Sequence, residues 1–313
     1  MELFSSTLNQ IAFLFCFIVT GYGLMKGRLL PENSSAVLSK LENMLFVPAL
    51  VLGTFMKNFT VECISSAWKL LVISSGIGLI AIVFAVLASR VVTKDSYIRK
   101  IYTYGLSFSN FGFMGNAVVS SLFPDIFLEY LIFTLPLWIF IYMWGVPTLL
   151  IADSGKKQTI RESLRAFCNP MFGAMLAGMI IGISGIELPS WITSFVDISG
   201  SCMSPVAMLL TGVVVSAIPL RQTFSDIRTI IISLIRLLVM PLIFMGIASL
   251  LPVETNGQTW YICALCSLAM PLGLNTIVIP SSLGRDTTVA ASMAIISHLL
   301  SAVTIPLIFM IAK

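Results

Sequence analysis

Ten apolar stretches punctuate the chain, near residues 7–25, 37–56, 67–90, 101–123, 127–151, 169–186, 192–217, 229–250, 259–283 and 288–311. Each is long enough to cross about 30 Å of hydrocarbon as a helix. The polar stretches between them are short, and they do not share basic residues evenly. Lys26, Arg28, Arg90, Lys94, Arg99, Lys100, Lys156, Lys157, Arg161, Arg165, Arg221, Arg228 and Arg285 follow odd-numbered stretches. The opposite side holds Lys57, Lys69 and Lys313 among Glu62, Asp125, Glu129, Glu187, Asp197 and Glu254. Basic residues collect on the cytoplasmic side of a membrane. The pattern therefore predicts a multi-pass protein of the cell (plasma) membrane with both termini extracytoplasmic. Trp68, Tyr130, Trp191, Trp260 and Tyr261 fall at the predicted outer ends, where amphipathic rings sit at headgroup level.

The two halves of the pattern are alike. Gly27-Arg28-Leu29-Leu30-Pro31 matches Gly185-Ile186-Glu187-Leu188-Pro189, about 158 residues later. Phe46-Val47-Pro48-Ala49-Leu50 matches Met203-Ser204-Pro205-Val206-Ala207, and Ser109-Asn110-Phe111-Gly112 falls near Met270-Pro271-Leu272-Gly273, both at similar offsets. Five spans enter on one side and leave on the other, so a second copy lies upside down relative to the first. Such inverted repeats recur among secondary transporters. The fold class expected is an all-α membrane protein of ten transmembrane helices in two inverted five-helix repeats. The first repeat covers residues 1–151, a basic cytoplasmic connector 152–168, and the second repeat 169–313.

The fourth stretch of each half makes a poor plain helix. Between Gly105 and Ala117 lie Ser107, Ser109, Asn110, Gly112, Gly115 and Asn116. The ninth stretch holds Pro271, Gly273, Asn275, Thr276 and Pro280. Unpaired polar groups in hydrocarbon cost several kcal/mol each, glycine weakens a helix interior by about 1 kcal/mol, and proline removes a donor. Interrupted spans at corresponding places in two repeats point to a transporter's binding site. A broken helix exposes N–H groups at the start of one half, and that end attracts anions. Asparagine amides add donors and acceptors. The substrate-binding residues expected are Asn110, Gly112, Asn116, Pro271, Gly273, Asn275 and Thr276. The competing reading is packing, because glycine and small polar residues also line helix contacts in membranes.

Composition fits a bilayer. Hydrophobic residues make up 58% of the chain and charged residues 10%, against about a quarter charged in soluble domains. A net charge of +4 implies no nucleic-acid partner. The first stretch lacks a basic n-region and a cleavage site, so it reads as a true span rather than a signal peptide. Cys263 and Cys266 form a C-x-x-C without a second Cys/His pair, so packing is expected, with no metal and no cofactor. No G-x-x-x-x-G-K-[ST] occurs, so the driving force is a gradient or a potential. His298, the sole histidine, is a candidate for proton coupling or a neutral packing residue. Lys40 and Glu42, near the cytoplasmic end of span two, read as snorkelling to the interface, with a functional role as the alternative. Arg236 is either a buried functional group or reaches the inner interface. With no acidic pair in mid-membrane, neither a carboxylate-based antiporter nor a membrane-embedded enzyme is expected.

At Asn110-Phe111-Gly112-Phe113-Met114-Gly115, Ala269-Met270-Pro271 through Asn275, Gly284-Arg285-Asp286, Thr304-Ile305-Pro306 and Phe46-Val47-Pro48-Ala49-Leu50 the chain resembles the auxin efflux carrier family. That family includes bacterial carboxylate permeases and the plant PIN proteins. The resemblance implies a scaffold of spans one, two, six and seven and a moving bundle of spans three to five and eight to ten. It also implies an X-shaped crossing of spans four and nine, where Asn110 and the segment from Pro271 to Asn275 bind a carboxylate such as malate or an auxin-like weak acid. Where the family carries proline shortly after the glycine of span four, this chain has Asn116-Ala117. The bile acid–sodium symporters are similar in architecture, and a sodium-coupled organic anion symporter is the alternative. A sensor that binds ligand without flux is a further rival. The partners expected are a small organic anion, a coupling H+ or Na+, the lipid bilayer and, in a homodimer, a second copy of the chain.

Overall fold

A computed structural model describes residues 2–151, 170–217, 226–250, 259–273, 275–282 and 285–312. The expected connector 152–168, and with it Arg221, Glu254 and Gly284, lies outside the described residues. The described chain is helical. Helix α1 spans Glu2–Lys26, α2 Ser34–Leu41, α3 Val47–Asn58, α4 Val61–Val92, α5 Ser96–Ser107, α6 Asn116–Leu122 and α7 Phe127–Phe140. The second half gives α8 Pro170–Ser184, α9 Ser190–Ser201, α10 Met203–Ser216, α11 Ile227–Leu234, α12 Met240–Ser249, α13 Thr259–Leu268, α14 Asn275–Ser282 and α15 Thr288–Ile311. Short π-helical turns join α2 to α3 (Glu42–Phe46) and α11 to α12 (Ile235–Val239), so each pair makes one continuous rod.

Among the described residues six helical rods are long and apolar enough to cross a membrane. They are Ser34–Asn58, Ala67–Val92, Pro124–Ile151, Ser190–Ser216, Ile227–Ser249 and Thr288–Ile311. Ala12–Lys26, Pro170–Ser184 and Thr259–Leu268 are apolar but shorter. The expected fourth span is divided into α5 and α6, so no single rod represents it.

The burial pattern is that of a protein in oil. On α4, Val72, Leu79, Ile80, Val83, Leu87 and Val91 are exposed, while Ser74, Ala81, Ala85 and Ser89 face inward. Small and polar side chains meet the neighbouring helix because lipid already satisfies the large apolar ones. Ser89 Oγ pairs with Thr103 Oγ1 at 2.7 Å, and Ser74 Oγ donates to the Phe133 carbonyl.

Helix α1 packs on α10, and α3 packs on α8. Glycine permits both approaches. A Cβ on Gly212 would lie 2.0 Å from the Ile18 carbonyl oxygen, and one on Gly182 2.7 Å from that of Phe59. Helix α9 also lies on α3, where Lys57 Nζ meets Asp197 at 2.7 Å. Arg28 (φ 57°) and Gly185 (φ 64°) are the residues with positive φ among those described. Both end the first helix of their half, where a left-handed residue closes the terminal turn.

Candidate functional site

The helices break within the fourth and ninth apolar stretches, where the sequence is rich in glycine, proline and amides. Helix α5 stops at Ser107, and Phe108 is extended (φ −127°, ψ 112°). The chain re-enters a helix at Phe111 through a π turn, Phe111–Gly115, that runs into α6. In the ninth stretch α13 stops at Leu268, and α14 begins at Asn275. The two extended pieces pair with each other. Ser109 and Leu272 form an antiparallel bridge, and the Asn110 N–H donates to the Pro271 carbonyl at 2.7 Å. Ser109 Oγ donates to the Ser267 carbonyl at 2.6 Å. Each break thus satisfies part of the other's freed backbone, which the bilayer interior requires.

The C-terminal ends of α5 and α13 carry partial negative charge. Arg236, 2% exposed, answers both. Its Nη1 donates to the Leu106 carbonyl at 2.7 Å, its Nη2 to Ser267 at 3.0 Å and its Nε to Met270 at 3.3 Å. The guanidinium fork suits such a set of fixed acceptors. Of the two sequence readings, burial holds: Arg236 does not reach an interface. It sits in the π turn before Pro241, whose ring has no N–H and would press on the Leu237 carbonyl. Met240 N–H instead reaches back to Ile235.

His298, 3% exposed, holds the first asparagine. Its Nδ1 donates to the Ala294 carbonyl at 2.8 Å, which leaves Nε2 to accept from Asn110 Nδ2 at 3.3 Å. Ser297 Oγ accepts from the Leu272 N–H at 3.2 Å. Asn275 Nδ2 donates to the Tyr104 hydroxyl at 3.1 Å. The Tyr130 hydroxyl donates to the Phe111 carbonyl at 3.0 Å. Gly112 lets the indole of Trp138 close over the break, since a Cβ there would stand 2.6 Å from the ring.

A cavity of about 30 Å³ remains at the crossing, lined by Tyr104, Ser109, Asn110, Gly112, Gly273 and Asn275 with the rings of Phe111 and Trp138. That is room for a water molecule or two and too little for an organic anion in this conformation. The structure brings four of the expected residues, Asn110, Gly112, Gly273 and Asn275, to this cavity. Pro271 contributes its carbonyl to the bridge. Thr276 lies to one side, its hydroxyl donating to the Gly273 carbonyl at 3.0 Å. Asn116 borders a separate cleft with Val51, Phe55 and Thr134, and Trp138 separates the two spaces. The break in span four precedes Asn116 and needs no proline; it falls at Phe108 to Asn110. Sequence reasoning missed Tyr104 and Trp138, because an aromatic within an apolar run carries no mark of what it faces.

At one end of the assembly Arg285 lies over the Tyr97 ring, 4.5 Å from its centre, and the Tyr97 hydroxyl donates to the Asp286 carbonyl at 2.6 Å. The Thr288 hydroxyl and amide hold the Asp286 carboxyl below its usual range. These contacts tie the start of α5 to the turn before α15.

A family model for membrane transport proteins matches residues 6–309. The chain belongs to the membrane transport protein family. The match covers both halves and agrees with the auxin efflux carrier resemblance carried by the span-four and span-nine motifs. No curated protein matches the chain. As a member of the membrane transport protein family the chain is a multi-span transporter, and the paired breaks lie within the matched region.

Proposed function

We propose that this transporter moves a small organic anion, a carboxylate such as malate or an auxin-like weak acid, by alternating access. In this reading ten spans form two inverted repeats across the plasma membrane, with basic loops inside and both termini outside. Spans one, two, six and seven form the scaffold, and the rest form the moving bundle. Support for the repeat comes from reciprocal packing: α1 lies on α10 as α8 lies on α3, the exchange a two-fold relation generates. The left-handed residues Arg28 and Gly185 match in the same way.

The observation that carries the substrate reading is the Ser109–Leu272 bridge, where two broken helices meet. With Arg236 engaging the carbonyl ends, the ends that begin at Phe111 and Asn275 face the cavity with partial positive charge. Asn110 and Asn275 supply neutral donors there. Bundle movement enlarges the cavity and opens it to one side or the other. His298 acts in this scheme by orienting Asn110.

Counterflow in proteoliposomes with a panel of labelled carboxylates tests the proposal. Exchange of at least one member, independent of sodium against potassium, is the expected result. Exchange that requires sodium favours the bile-acid-type symporter. Binding without exchange favours a sensor.

A further inference from the structure

Glu42 sits in the π turn that joins α2 to α3, and it does not snorkel. Lys40, two residues earlier, is exposed, but Glu42 is 0% exposed. Both of its carboxyl oxygens lack a hydrogen-bond partner among the described residues. The cause lies in the sequence. Pro48 has no N–H, and its ring would press on the Met44 carbonyl, so the helix widens by one residue and Val47 N–H returns to Glu42. Each residue of a helix advances the face by about 100°, so the extra residue separates the face of Glu42 from the register of α3. π turns of this kind are frequent at functional sites.

Among the described residues, the elements packed against the turn offer this carboxyl no free counter-charge. The turn packs on α2, α3, α8, α9 and α10. The titratable groups these elements carry are Lys40, Lys57, Asp197 and, at the α9–α10 junction, Cys202. Lys57 and Asp197 are engaged with each other, about 22 Å along α3 from Glu42 at 1.5 Å per residue. Helices α8 and α10 carry no charged residue. An unpaired charge buried in such surroundings is far costlier than a neutral polar group, and an ionisable group inside a span is functional by default.

We propose that Glu42 is the proton-binding site that couples transport to a proton gradient, a proposal that rests on the transporter reading above. A carboxylate oxygen takes H+ from the aqueous phase on one side, and the O–H bond breaks to return that proton on the other. Helix α10 touches both the Glu42 turn and the Phe111–Gly115 turn of the crossing. A shift of the bundle against α10 therefore bears on the surroundings of Glu42, which links proton occupancy to the state of the substrate site.

The test uses the full chain in lipid vesicles, in two arms. Infrared spectra of wild type and E42Q are compared across pH without any substrate. The expected result is a protonated-carboxyl C=O band in wild type that bleaches in alkali and is lost in E42Q; no such band overturns the proposal. In the second arm labelled malate is offered with a pH gradient. Wild type concentrates malate, and E42Q loses that gain. Equal concentration by E42Q, or wild-type accumulation that follows a sodium gradient instead, overturns the coupling role. Absence of malate exchange in wild type counts against malate as substrate only, and the infrared arm then decides on Glu42.

Discussion

Two buried ionisable groups sit in matching pieces of backbone, and they are treated in opposite ways. Glu42 and Arg236 each lie in a π turn that a proline forces, six residues before Pro48 and five before Pro241. Among the described residues they are the only Asp, Glu, Lys or Arg side chains that are fully buried. Arg236 finds three carbonyls from two helix ends. Glu42 finds no hydrogen-bond partner among the described residues. A charge met by fixed dipoles holds a structure together, whereas a charge left unmet is tolerated where it has work to do. The comparison separates a positioning group at the crossing from a group suited to binding a proton.

The largest effect expected is on the arginine side. R236M takes the guanidinium from the Leu106 and Met270 carbonyls in a dry interior and leaves Ser267 with Ser109 Oγ alone. Each buried unmet acceptor costs about 1–3 kcal/mol, so the thermal unfolding midpoint in detergent drops sharply. R236K keeps the charge but lacks the fork, and it falls between. If R236M unfolds with wild type, the latch is of no consequence and the contrast with Glu42 fails.

Next is G112A, which sets a methyl 2.6 Å from the Trp138 ring. Overpacking of this kind costs about 1–3 kcal/mol, and the rings over the break must move. Tryptophan fluorescence of a W138-only protein reads that movement, and an unchanged spectrum argues that the cover over the crossing is loose.

Smaller still is E42Q. No partner is lost, so unfolding changes by about 1 kcal/mol or less, in either direction. A loss as large as that of R236M means that Glu42 is held by a contact and removes the asymmetry. The smallest effect belongs to the Lys57–Asp197 pair, whose side chains are 52% and 47% exposed. A double-mutant cycle of K57A and D197A yields a coupling of about 0.2–1 kcal/mol. A larger value shows that this pair clamps α3 to α9.

Much of this arrangement is legible in the sequence. Apolar runs and basic loops pointed to a multi-span membrane protein because hydrocarbon admits little else. The breaks were legible as well, since Ser109 and Asn110 at the first and Pro271 and Gly273 at the second are residues a continuous helix disfavours. Partners across the crossing were not. The Ser109–Leu272 bridge joins residues far apart in sequence, and nothing local selects Tyr104 for Asn275 or His298 for Asn110. Asn116 is an instructive case. Its composition matched the break, but it begins α6 after the π turn, so it faces a different cleft. Glu42 was misread for a related reason. Proximity to Lys40 and a helix end suggested snorkelling, whereas the extra residue ahead of Pro48 turns that side chain inward.

The central claim is that the paired breaks of spans four and nine hold the transported anion. Labelled-carboxylate counterflow by N110A and N275A, at expression and folding matched to wild type, tests it most directly. Loss of a charge-assisted hydrogen bond costs about 1.5–3 kcal/mol, so each variant is expected to lose tenfold or more of its flux at low substrate. Wild-type flux from both variants contradicts the account.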